Sequence, residues 1–342
     1  MTPTAWLLIY LLLAGIVVFL AIKLSNYVDL LDKKTKLSGA LLGGILLAAV
    51  TSLPELFTSL TGTLRGNNQM VLGNILGSDF FDIIIFGVVY LLFFKKLVTD
   101  KKLGKVHYFT SFFTFAMIVA VTLAAFVFEK QGWLLGYFNP MSFAIIAIYI
   151  ISVWKTPKME EKEKEEDKSK LTVKSIWILF AICSVLLIGA SVAVTLVTEK
   201  VISAEEGFNI GATFGGSLFL GVATSLPEVT ATITLCKKKN FDAAYGDILG
   251  SCVFNIIILA IADALSFNSA THIYAIDTSS FLLLIGTVFA LLLTVISIIF
   301  IRSKKSKIDI KSRIILYGIG ILLIGSYIAY LILSNSGLTI KF

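Results

Sequence analysis

Glu55 and Glu228 each end a T-S-L-P-E pentapeptide, and each lies deep inside a long apolar stretch. An unpaired charge at that depth costs on the order of 2.5–3.5 kcal/mol on insertion scales, so intramembrane acids mark function by default. The two segments are copies. Thr51–Ile85 and Thr224–Ile258 align without a gap at an offset of 173 residues, identical at 16 of 35 positions. Thr51, Ser52 and Glu55 are spaced to share one helix face, and Thr224, Ser225 and Glu228 repeat the pattern. Pro54 and Pro227 lack an N–H and clash with the preceding turn, which frees backbone carbonyls, around Val50 and Thr51 in the first copy. Such backbone survives at membrane depth only where it lines a cavity or is buried in protein. Hydroxyls, freed carbonyls and a carboxylate together make an all-oxygen surface.

Further along each copy, Asn74, Ser78 and Asp82 fall at i, i+4 and i+8, matched by Asp247, Ser251 and Asn255. Gly73 and Gly77, like Gly246 and Gly250, stand four apart and suit close helix packing. No Lys or Arg falls inside the apolar stretches, so Glu55, Asp82 and Glu228 must be protonated, hydrated or neutralised by a bound cation. Oxygen ligands suit a hard cation such as Ca²⁺, whose flexible coordination tolerates a moving protein; thiolate and imidazole sets for softer metals are missing. Cys183, Cys236 and Cys252 lack metal-type spacing and read as small apolar residues. An intramembrane hydrolase would need a base beside a serine, and neither His107 nor His272 lies near a repeat. Both histidines read as interfacial.

These residues need a scaffold. With 57% hydrophobic residues among 342 and a mean hydropathy of +0.92, the chain reads as an all-α polytopic membrane protein. Polar breaks delimit ten apolar spans, the first (residues 4–22) too long for a signal h-region and expected to be retained. The net charge of +7 is an orientation signal with no nucleic-acid meaning: 25 of the 29 Lys and Arg fall on the odd-to-even connections, against Arg65, Lys130, Lys200 and Lys341 opposite. Those connections are therefore expected in the cytoplasm, with both termini outside, in a plasma or inner membrane. Residues 1–154 and 175–342 form two five-helix repeats, joined by a mixed-charge cytoplasmic linker over 155–174. Five spans separate equivalent helices, so the second repeat is inverted, and inverted repeats place a transport site between the halves near mid-bilayer.

At T-S-L-P-E and G-x-I-L-G-S the chain resembles the calcium/cation antiporter superfamily, closest to its sodium/calcium exchangers, whose paired repeats read G-T-S-x-P-E and G-N-x-x-G-S-N-x-x-[ND]. The resemblance implies four central positions at Glu55, Asp82, Glu228 and Asn255. It implies Ca²⁺ binding by the two glutamates with Thr51 and Thr224. Sodium sites would use Ser52, Ser78, Ser225 and Ser251, with backbone at Ala48 and Gly221. The implied activity is Ca²⁺/Na⁺ antiport by alternating access, without a resident cofactor, nucleic acid or obligate protein partner; H⁺-coupled cation exchange is the alternative. Departures are Val50 and Ala223 for Gly, Asp247 for the Asn of G-N, Asp79 and Cys252 for Asn, and an exchange of Asp82 with Asn255 between copies. Potassium-dependent relatives carry Asp at the place of Asn255, so the resemblance implies no K⁺ dependence. Whether Asp79 and Asp247 face the site is open from the sequence.

Overall fold

The computed structural model describes residues 2–99, 103–104, 106–129, 135, 138–155, 169–202, 207, 221–266, 272–303 and 310–336. Its elements are α1 (Pro3–Lys34), α2 (Gly39–Leu41), a π-helix (Leu42–Leu47), α3 (Ala48–Thr51), α4 (Leu53–Leu64), α5 (Asn68–Thr99) and α6 (Val106–Leu123). A second π-helix (Ala124–Glu129) follows, then α7 (Pro140–Lys155), α8 (Val173–Ile202), α9 (Gly221–Lys237), α10 (Phe241–Leu265), α11 (Thr278–Ser303) and α12 (Ile310–Asn335). Among the described residues seven helices are long and apolar enough to cross a membrane, and the bent pair Gly39–Thr51 and Leu53–Leu64 makes an eighth crossing if it is one span. Pro140–Lys155 and Gly221–Lys237 are shorter. The chain is an all-α polytopic membrane protein. Most of the 155–174 linker and the first part of the expected seventh span, residues 208–220, lie outside the described residues.

Several helices outrun their apolar stretches. A 32-residue helix spans about 48 Å, against a hydrocarbon core of about 30 Å. Lys23, expected in a connection, therefore sits inside α1, its ammonium over the Phe19 ring, and Lys95 and Lys96 lie within α5. Many basic residues ride on helix ends that project beyond the apolar segment.

Burial separates a centre from a periphery. The most apolar windows of α5 and α10 are 72% and 78% buried, against 22–28% for α1, α8 and α12. α9 packs on α5 and α10, and α1 pairs with α8 along one flank. Leu8, Phe112, Ile182 and Ile328 point outward, as lipid contact requires. The first π-helix lies directly on α10: a Cβ at Gly43 would strike the carbonyl of Ala243, and one at Gly250 the carbonyl of Gly44. Gly246 and Gly250 thus act as packing residues. Among the described residues nothing stands within 4 Å of a Cβ at Gly73, so the matching stripe of the first copy makes no such contact.

Polar locks hold the ends. Asn240 caps α10 and donates to Asp29 Oδ1 (3.2 Å) and Asp32 Oδ2 (3.0 Å), while Lys33 and Lys238 reach Asp29 at 2.8 and 3.3 Å. His107, at the start of α6, is buried within the protein, and its Nε2 pairs with Asp242 Oδ1 at 2.9 Å across 135 residues of sequence. At the other end of α10, Asp263 Oδ2 accepts from the Asn139 N–H (2.9 Å) and Ser142 Oγ (2.8 Å). These contacts fix α10 at both ends.

Candidate cation site

The first T-S-L-P-E straddles a break. α3 ends at Thr51, Ser52 leaves helical geometry (φ −92°, ψ 4°), and α4 restarts at Leu53 after a 41° bend. Pro54 suits the first turn of α4, where no N–H partner is needed. Glu55 then falls in that first turn, where the positive end of the helix dipole favours a carboxylate. The π-helix just upstream is of a kind found often at functional sites. The second copy behaves differently. α9 runs from Gly221 to Lys237 with Pro227 inside it and no break among the described residues, so the expected symmetric interruption is seen in the first copy alone.

The side chains of the two copies meet. Ser52 Oγ donates to Glu228 Oε1 at 3.3 Å, and the Thr224 hydroxyl bonds to Glu55, so each glutamate is served by a hydroxyl of the other copy. Asn255 Nδ2 donates to Asp79 Oδ1 at 3.1 Å, and Cys252 Sγ lies 3.9 Å from the Asp79 carbonyl. Asp82 lies within electrostatic reach of Glu55, Asp79 and Asp247. Five carboxylates are thus gathered, each at most 1% exposed, and among the described residues none is paired with Lys or Arg. Glu55 Oε2, Glu228 Oε2, Asp79 Oδ2 and Asp82 Oδ1 have no hydrogen-bond partner among the described residues. Buried polar atoms are normally satisfied, so these oxygens must be protonated, hydrated or neutralised by a bound cation.

Of the residues singled out by sequence, Thr51, Thr224, Ser52, Ser225, Ser78, Ser251, Asn255 and Ala48 are buried in this same region with the acids. The Ala48 carbonyl already accepts from the Ser52 N–H (3.0 Å) and Thr51 Oγ1 (3.2 Å). Gly221 is the first residue of α9. Asp79 and Asp247, left open by sequence, both join the cluster. Sequence reasoning missed Ser59 and Thr232, buried hydroxyls one turn beyond Glu55 and Glu228 and without hydrogen-bond partners among the described residues. Their i+4 spacing from the glutamates, repeated at the same 173-residue offset, was the available signal. Among the described residues no three His, Cys, Asp or Glu side chains are drawn closely enough to hold a metal by themselves. Hydroxyl, amide and carbonyl oxygens would have to complete any coordination shell.

Known proteins resemble this chain along its length. A family model described as sodium/calcium exchanger protein matches residues 4–155 and 175–335. The chain is 24% identical over 342 residues to the inner membrane protein YrbG of Escherichia coli (strain K12), covering 96% of this chain and 95% of the relative. It is 26% identical over 260 residues to the sodium/calcium exchanger MaX1 of Methanosarcina acetivorans, covering 66% of this chain and 73% of the relative. Among solved structures, the sodium-calcium exchanger NCX_Mj soaked with 2.5 mM Na⁺ and 0.1 mM Sr²⁺ superposes with a TM-score of 0.68 at 19% identity, covering 96% of this chain and 99% of the other. Soaked with 100 mM Na⁺ and 10 mM Sr²⁺, the same exchanger gives a TM-score of 0.66 at 20% identity over 99% of both chains. The fold is that of NCX_Mj.

Proposed function

The chain belongs to the sodium/calcium exchanger protein family, and we propose on that footing that it is a secondary antiporter exchanging Ca²⁺ for Na⁺ by alternating access. One observation carries the reading. Acids from both copies converge, each glutamate bonded to a hydroxyl of the opposite copy, with no basic residue among the described ones to neutralise them. Ca²⁺ would be held by Glu55 and Glu228 with Thr51 and Thr224. Na⁺ would use Ser52, Ser78, Ser225 and Ser251, with Asp82 and Asn255 between the two sets and backbone oxygen from Ala48 and Gly221. MaX1 carries the name of a sodium/calcium exchanger, and the NCX_Mj structures were soaked with Na⁺, Ca²⁺ and Sr²⁺, which supports this choice of ions.

The scaffold follows from the same reading. Ten spans form two inverted repeats, residues 1–154 and 175–342, joined by a cytoplasmic linker over 155–174, with both termini outside; the support is the 173-residue duplication across an odd number of spans and the one-sided Lys and Arg. The site then lies near mid-bilayer where the repeats meet. A bound cation load cancels the cluster's charge and lets the halves rearrange, whereas the unneutralised acids resist crossing a low-dielectric barrier. Competition of Ca²⁺ and Na⁺ for shared carboxylates couples the two fluxes.

Purified protein in vesicles tests this. Ca²⁺ uptake is expected when an internal Na⁺ load is diluted at clamped voltage. Uptake driven by a pH gradient alone would replace sodium with protons as the coupling ion.

A further inference from the structure

The strongest unassigned feature is Asp247, on α10 two turns before Asn255. It is fully buried, and neither carboxylate oxygen has a hydrogen-bond partner among the described residues. A buried carboxylate with two open oxygens is among the costliest arrangements in a protein. Its neighbours include the hydroxyls of Thr232, on α9 one turn past Glu228, and Thr51, at the break of the first copy, with the Asp82 and Glu228 carboxylates within electrostatic reach. Thr51 Oγ1 lies 3.1 Å from the Leu47 carbonyl and 3.2 Å from that of Ala48, so its hydrogen is committed to backbone while oxygen lone pairs remain. Thr232 Oγ1 has no hydrogen-bond partner among the described residues. The three side chains present oxygen acceptors and a single negative charge.

From this geometry we propose that Asp247, Thr232 and Thr51 hold an additional Na⁺ beside the Ca²⁺ ligands, with Asp247 as its charged ligand. One carboxylate and two hydroxyls match a monovalent cation, whereas Ca²⁺ takes six to eight oxygens and commonly several carboxylates. The site is one-sided. The equivalent place in the first copy holds Asn74, Ser59 and Thr224, with an amide where the second copy has the acid. Thr51 borders both ions, so the added Na⁺ senses whether the Ca²⁺ position is filled. The proposal rests on the antiport reading above and adds one sodium to it.

The test counts bound ions on the purified full chain with ²²Na⁺ and ⁴⁵Ca²⁺. Asp247→Asn is nearly isosteric and copies the residue at position 74, and Thr232→Val provides a second variant with the carboxylate intact. The expected result for Asp247→Asn is one fewer Na⁺ per protein at saturation, with a lower Hill coefficient for Na⁺-driven Ca²⁺ release. Thr232→Val should raise the half-saturating Na⁺ concentration severalfold. An unchanged sodium count in both variants overturns the proposal while leaving antiport intact, as does equal loss of Na⁺ and Ca²⁺ or a change confined to pH dependence. Wild-type protein that binds Ca²⁺ but no Na⁺ would instead bring down the sodium reading itself.

Discussion

The two copies share their glutamates but divide the remaining acids between them. The first contributes Asp79 and Asp82, whose counterparts are Cys252 and Asn255; the second contributes Asp247, whose counterpart is Asn74. No aspartate of the cluster has an aspartate as its counterpart in the other copy. At one contact between the copies an acid of one meets an amide of the other: Asn255 Nδ2 donates to Asp79 Oδ1 at 3.1 Å. Two carboxylates at that distance would raise one another's proton affinity. Duplication thus supplies a symmetric pair of buried glutamates, and divergence places the aspartates at non-equivalent positions of the two copies. The backbone diverges too: the first copy breaks at Ser52, while α9 carries Pro227 through an unbroken helix.

Removing either shared glutamate should have the largest effect. Glu55→Gln and Glu228→Gln each take one charge from a desolvated ion pair, a loss of about 3 kcal/mol or roughly 100-fold in Ca²⁺ affinity. ⁴⁵Ca²⁺ binding checks this, and a variant that binds normally would end the equivalence of the two copies. Packing should be asymmetric. Gly250→Ala drives a Cβ into the Gly44 backbone and should cost about 1–3 kcal/mol of stability, whereas Gly73→Ala should not lower it. Thermal unfolding in detergent separates the pair, and equal melting temperatures would contradict the contrast.

Acid–amide complementarity predicts a rescue. Asn255→Asp alone sets two carboxylates together and should weaken Ca²⁺ binding roughly tenfold, while adding Asp79→Asn restores the pair with reversed polarity to within about threefold. A double variant no better than the single would show that the contact carries no coupling. The smallest effect belongs to Ser52→Ala, which removes one hydrogen bond to Glu228 and should cost about 1 kcal/mol, near fivefold in the Ca²⁺ half-saturation of uptake.

Much of this was legible in the sequence. The gapless duplication and the depth of Glu55 and Glu228 pointed to a site shared by two halves, and Pro54 marked the break that the chain makes at Ser52. Local signals stopped where tertiary contacts decide. Asp79 lies three residues from Asp82, a spacing compatible with facing the site or a neighbouring helix, and only the approach of α10 with Asn255 selects between them. The partner of His107 was not legible because nothing near it in sequence announces Asp242. Lys23 looked like a connection because hydropathy ends where the helix does not. Pro227 failed to predict a second break because a proline constrains one turn, and neighbouring helices decide whether the rest bends.

The central claim is that acids from both copies share one cation. Anomalous diffraction from crystals grown with Sr²⁺ in place of Ca²⁺ tests it most directly. The account predicts a strong peak bounded by the Glu55 and Glu228 carboxylates and lost in Glu228→Gln. A peak confined to one copy's side chains, or persisting undiminished in that variant, would contradict it.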